Sequence, residues 1–192
     1  MALDGKDAEG NTPLRLAVRC EKFEAIQTLF EKSNQVGAEC IKEGLLLHDA
    51  AKVGNAPLTK YLLETLGHQV DARDAIGTPL FWCAFDNNVE VASLLIHAGA
   101  DVNATDDEGV SVLFVSDAII FMYCISKSSQ VAVTSGAEGV ISLLLDNGAS
   151  LFVDASKDGK TTVLHAAAGE GLTAPLKLLL EQENVAEALE FR

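Results

Sequence analysis

The sequence predicts an all-α fold: a solenoid of short helical units stacked side by side. Three observations predict it. Paired apolar positions recur along the chain, Leu29/Phe30, Leu62/Leu63, Leu95/Ile96, Leu144/Leu145 and Leu179/Leu180, at intervals of 33, 33, 49 and 35 residues. A fixed period of this size marks a repeat architecture. A second marker precedes each pair: GNTPLRLAV (10–18), LLLHDAA (45–51), GTPLFWCA (77–84), GVSVLFV (109–115) and TTVLHAAAGEG (161–171). Glycines supply the third signal, Gly54 and Gly171 after a first segment and Gly99 and Gly148 after a second, where a left-handed residue closes a helix.

In chain order, the first unit (7–39) opens its first helix at Thr12-Pro13. A threonine hydroxyl there accepts from a free N–H of the first turn, and proline fills the first helical position at no cost in hydrogen bonds. The second unit (40–73) carries Leu45 and Leu46 in place of that pair, followed by His48 and the small residues Ala50 and Ala51, which let helices approach closely. The third (74–105) repeats the opening with Thr78-Pro79 and ends in HAGADVNA (97–104). The fourth (106–154) has Ser111, Val112 and Phe114 at the helix start and an insertion at 116–131. The fifth (157–192) carries His165 and a small-residue run, and its EQENVAEALEFR ending has no polar cap for the last apolar face. That ending is the expectation of a longer array or of a partner at that end.

These residues resemble the ankyrin repeat, whose pattern is a glycine, Thr-Pro-Leu-His, two alanines, a glycine, a leucine-rich second helix and Gly-Ala-Asp. The resemblance covers five units and implies one solenoid domain over residues 1–192, built of stacked helix-turn-helix pairs with hairpin loops protruding between neighbours. It also implies that His48 and His165 are structural tethers to backbone in an adjacent loop, and that Thr12, Pro13, Thr78 and Pro79 set helix starts. Arg15 and Phe81 depart from the pattern at the histidine position of the first and third units. One unit cannot bury its own apolar face, so stability comes from contacts between neighbours.

Composition limits the remaining classes. At 48% hydrophobic and 22% charged, the 192-residue chain is folded rather than disordered. It has no run of 18 apolar residues, and MALDGKDAEG lacks the regions of a signal peptide. No membrane association is expected, and the location expected is intracellular, cytoplasmic or nuclear. Cys20, Cys40, Cys83 and Cys124 are too far apart for a zinc or disulfide motif. A net charge of −14 argues against nucleic acid, whose phosphates are bound by Lys and Arg. Between Asp74 and Ser156 the only Lys or Arg is Lys127, so this middle stretch presents an acidic surface.

No phosphate loop, nucleophile elbow or metal motif is present in the sequence, and no cofactor or small-molecule substrate is expected. DDEG (106–109) lacks the further oxygen ligands of a calcium loop and reads as a hairpin tip. Neither His48 nor His165 has a nucleophile or metal in pattern with it, so a catalytic role finds no support. Trp82 reads as core between units. Phe85, with Asp86 beside it, falls where the resemblance implies a groove-facing position, as do Arg19 and Lys52. An exposed aromatic flanked by acid is an anchor for a partner. The tips Asp74, Asp106, Asp107, Glu108, Lys157 and Asp158 complete the expected binding face.

The interval of 49 exceeds 33 by 16, and removing 16 residues restores the register inside the first helix of the fourth unit. Real insertions favour hairpin tips. Residues 116–131 therefore read either as an extended loop or as a translated retained intron, since Val115-Ser116 and Gln130 can be encoded by common intron borders. A solenoid offers extended surfaces rather than deep cavities, so the function expected is a non-catalytic interaction module or scaffold for a protein partner with a basic surface or peptide. The alternative is a regulatory or targeting segment of a larger enzyme or signalling protein.

Overall fold

The computed structural model describes residues 3–36, 45–66, 68–105, 111–113, 137–151, 163–169, 171–182 and 185. Asp106, Asp107, Glu108, Lys157, Asp158 and the insertion at 116–131 lie outside the described residues. Among the described residues the helices are α1 (Pro13–Arg19), α2 (Phe23–Val36), α3 (Leu45–Lys52), α4 (Ala56–Leu66), α5 (Pro79–Asp86), α6 (Val89–His97), α7 (Glu138–Asp146), α8 (Val163–Gly169) and α9 (Thr173–Leu180). They form the pairs α1/α2, α3/α4, α5/α6 and α8/α9, with α7 between the last two.

Helix starts follow the Thr-Pro signal with one difference. Thr12 is extended, and its hydroxyl accepts from the Arg15 N–H at 3.3 Å. Thr78 is extended too (φ −85°, ψ 166°), but its buried Oγ1 has no hydrogen-bond partner. The side-chain cap expected at Thr78 is therefore absent. The Phe81 N–H that would donate to it bonds the Thr78 backbone carbonyl instead, at 3.0 Å.

Helices α1, α3 and α5 stack into one layer; α4, α6, α7 and α9 run behind them as a second. Leu14, Val18, Leu47, Leu62, Leu80 and Leu95 fill the space between the layers and are almost completely buried. Each such side chain contributes roughly 1.5–3 kcal/mol on burial. Ala50, Ala51, Ala84 and Ala92 are buried where helices meet, and their small size permits the close stacking that the repeat needs.

Adjacent asparagines lock neighbouring pairs together. Asn87 ends α5 in the left-handed conformation (φ 52°), and its Oδ1 accepts from the Val140 N–H of α7 at 3.1 Å. Asn88 reaches the other way: its Nδ2 donates to the Ala51 and Lys52 carbonyls at 2.9 Å each, satisfying the C-terminal end of α3. Two glycines make room for this. A Cβ on Gly54 would stand 2.7 Å from Asn88 Oδ1, and one on Gly139 would stand 2.4 Å from a Val89 methyl.

Candidate functional site

The site grows from the hairpin that precedes α5. Asp74 closes the turn: its N–H donates to the Gly77 carbonyl at 2.9 Å, and its Oδ1 accepts from the Ile76 and Gly77 N–H groups at 2.8 and 2.9 Å. The base of the turn is held from α3, where buried His48 places Nε2 3.2 Å from the same Gly77 carbonyl. The second oxygen of Asp74 accepts from Trp82 Nε1 at 2.9 Å, fixing the indole against the hairpin.

Trp82 is half-buried and packs against the core, as expected of a residue between units. Indole carries one donor on an otherwise apolar ring, so it settles where the ring packs and the N–H finds an acceptor. Lys52 Nζ, from the last turn of α3, lies 4.5 Å from the ring centroid. Phe85 packs at 5.5 Å with its ring tilted by 46°. It is half-buried rather than freely exposed, its inner edge resting on the core.

Asp86 is the last residue of α5. Burial pushes its carboxyl above the ordinary value, and the charge of Lys52 opposes that rise. Beneath it, Cys83 is buried with Sγ 4.0 Å from the Ala51 carbonyl. Its thiol is pushed far up by burial and further by the charge of Asp86, which leaves it inert as a nucleophile at neutral pH.

The fold thus brings Lys52, Asp74, Phe85 and Asp86 to one face, and adds Trp82. Arg19 stands apart on α1, its Nη1 donating to Asn11 Oδ1 at 2.9 Å. His165 is exposed on α8, in contrast to buried His48. Arg15, at the histidine position of the first pair, forms an ion pair with Asp49 on α3. Sequence reasoning missed Asp49, Asn87 and Asn88 as well as the partners of Trp82. For the asparagines a signal existed, since Asn tolerates the left-handed conformation and caps helices. Among the described residues, no group of three or more His, Cys, Asp or Glu side chains is arranged to hold a metal ion, and no helix is long and apolar enough to cross a membrane.

A family model described as "Ankyrin repeats (3 copies)" matches residues 39–106, the stretch that holds this site. The chain is also similar to the ankyrin repeat domain-containing protein SAT10 of Stachybotrys chartarum, with 27% identity over 157 residues. That alignment takes in 81% of this chain and 7% of the relative, so the chain spans a small fraction of that protein's length.

Proposed function

Because the chain belongs to the ankyrin-repeat proteins, a family of protein-interaction modules, we propose that it is a non-catalytic binding module. Its partner is a protein with a basic surface or peptide, captured by the first-helix face and hairpin of the second and third helix pairs. One observation carries this reading: Lys52, Asp74, Trp82, Phe85 and Asp86, drawn from two helices and a turn, meet on one face. A half-buried aromatic pair rimmed by carboxylates is how a protein surface anchors a partner and selects its charge. The acidic excess around it attracts a basic partner and raises the rate of encounter.

The test uses a panel of immobilised basic and acidic peptides, with Phe85→Ala and Asp86→Lys variants whose folding is checked by circular dichroism. Basic peptides are expected to bind the parent chain, to release it as salt rises, and to bind the variants at least about 10-fold more weakly, an anchor loss of roughly 1–2 kcal/mol. Equal binding by parent and variants excludes this face. A second reading is favoured by the 7% span of the matched relative: within a longer polypeptide, the same face recruits or restrains a catalytic domain. Sequencing the full-length transcript checks it by showing whether a catalytic domain adjoins these residues.

A further inference from the structure

The cation over Trp82 is itself a clue to what the face accepts. The Trp82 N–H is spent on Asp74 at 2.9 Å, so the indole is fixed in one orientation. Lys52 Nζ stands 4.5 Å from the ring centroid, inside the range in which a ring quadrupole attracts a cation. Lys52 is itself exposed, on a flexible stem that can move aside. Two carboxylates belong to the same neighbourhood: Asp74 accepts the indole N–H, and Asp86, at the end of α5, lies close enough to Lys52 to feel its charge.

We infer that the outer face of Trp82 is the seat of an arginine side chain of the basic partner, held by Lys52 until the guanidinium stacks there and displaces it. The inference rests on the basic-partner reading above. A guanidinium is planar, so it lies flat on indole while its edge N–H groups reach a carboxylate; an ammonium is a strongly hydrated point charge that does one or the other less well. Lys52 then acts as an internal competitor. It covers the ring in the free protein and sets a threshold that a lone lysine of a partner does not clear.

Trp82 is the only tryptophan of the chain, so its fluorescence reports this position alone. The experiment titrates tetra-arginine and tetra-lysine peptides into the full chain and into its Lys52→Gln and Lys60→Gln variants at low salt. Lys60 belongs to α4, in the second layer, with its exposed side chain 3.9 Å from Glu64, so Lys60→Gln removes the same charge away from the ring. Tetra-arginine is expected to shift Trp82 emission and to bind Lys52→Gln about 2- to 5-fold tighter than the parent, the release of one exposed cation–ring contact. Lys60→Gln is expected to change binding less than about 1.5-fold, the smaller general effect of one distant charge. Equal gains in both variants, or saturable binding with unchanged emission, overturn the inference. Tetra-lysine bound as tightly as tetra-arginine, and lost on Asp86→Lys, overturns the arginine assignment while leaving the basic-partner reading standing. Failure of both peptides overturns the two together.

Discussion

The junction between the first and second helix pairs and that between the second and third use one repeat position in different chemical ways. In the first junction the position holds Arg15, whose guanidinium pairs with Asp49 on the next pair; the side chains keep 26% and 9% of their exposure. In the second it holds His48, which is buried and reaches the Gly77 carbonyl of the next hairpin. Both side chains reach forward to the following pair, so at these two junctions the position supplies a donor of sufficient length; in the third pair it holds buried Phe81, which supplies none. The ion pair is partly in water and screened by salt, whereas the histidine tether is shielded. Only the second junction adds the asparagine clasp from Asn88 and the aromatic face built on Lys52 and Trp82.

That contrast is broken most directly by truncating both side chains. His48→Ala leaves a cavity and removes one of the two hydrogen bonds to the buried Gly77 carbonyl, which keeps the Asp74 N–H, with an expected loss of about 2–3 kcal/mol that molar salt leaves unchanged. Arg15→Ala strips the partner from Asp49 and is expected to cost about 1–2 kcal/mol at low salt, less as salt rises. Urea unfolding of both variants at two ionic strengths measures this. A salt-dependent loss at His48, or a larger loss at Arg15, would show that the two junctions are held in the same way.

Asn88→Ala tests the clasp. Losing it removes one amide that serves two carbonyls at the end of α3, for an expected cost of about 1–2 kcal/mol. Because a stacked array is stabilised through its neighbour contacts, the loss should appear as faster amide exchange in α3 and α5 and leave α1 nearly unchanged. Uniform loss of protection along the chain would make the clasp a global rather than a junction device.

Much of this organisation was legible in the sequence, and the physics explains which parts. The 33-residue spacing of apolar pairs fixed the helix pairs, because only stacking buries such faces. Lys52, Asp74, Phe85 and Asp86 were legible as surface candidates because register puts equivalent positions on one side. Trp82 was not. Its core packing follows from the repeat, but its hydrogen bond to Asp74, eight residues earlier, and its contact with Lys52 depend on neighbours that hydropathy does not report. The clasp was equally hidden, since Asn88 meets carbonyls 36 and 37 residues away and Asn87 meets an N–H 53 residues on. Thr78 shows the opposite limit. Its local signal was right for the helix start, but the backbone carbonyl took the hydrogen bond expected of its hydroxyl.

A smaller effect sharpens the comparison at the turn that ends each first helix. In the second and third pairs the left-handed residue is Gly54 (φ 70°) or Asn87 (φ 52°), both suited to that conformation; in the first it is Glu21, at φ 54°. Glutamate there carries the Cβ strain that glycine avoids. Glu21→Gly is expected to raise stability by about 0.5–1 kcal/mol, net of the greater freedom of glycine in the unfolded chain. Calorimetric melting would show it as a higher Tm. An unchanged or lower Tm would mean that Glu21 makes up the strain by contacts of its own.

The smallest effect concerns the hairpins, where Asp71 accepts from the Asp101 N–H at 3.2 and 3.3 Å. Burial raises the Asp71 carboxyl above its ordinary value, and the Asp101 carboxylate adds to the rise, while the N–H bond opposes both. A carboxyl whose folded-state pKa exceeds its unfolded value is held more tightly as the acid in the folded state. The stability it supplies is therefore full below the ordinary carboxylate range and is lost as pH rises through the raised value. Asp71→Asn keeps an acceptor for the Asp101 N–H and removes the charge. It is expected to be more stable than the parent at pH 7 by about 0.2–0.5 kcal/mol, a figure kept low by solvent screening. The gain should shrink as pH falls through the raised value, where the parent takes up the proton itself, and should also shrink with added salt as the repulsion from Asp101 is screened. A gain that stays constant from pH 7 to pH 4 would place the benefit in the amide's hydrogen bonding and not in the discharged carboxylate.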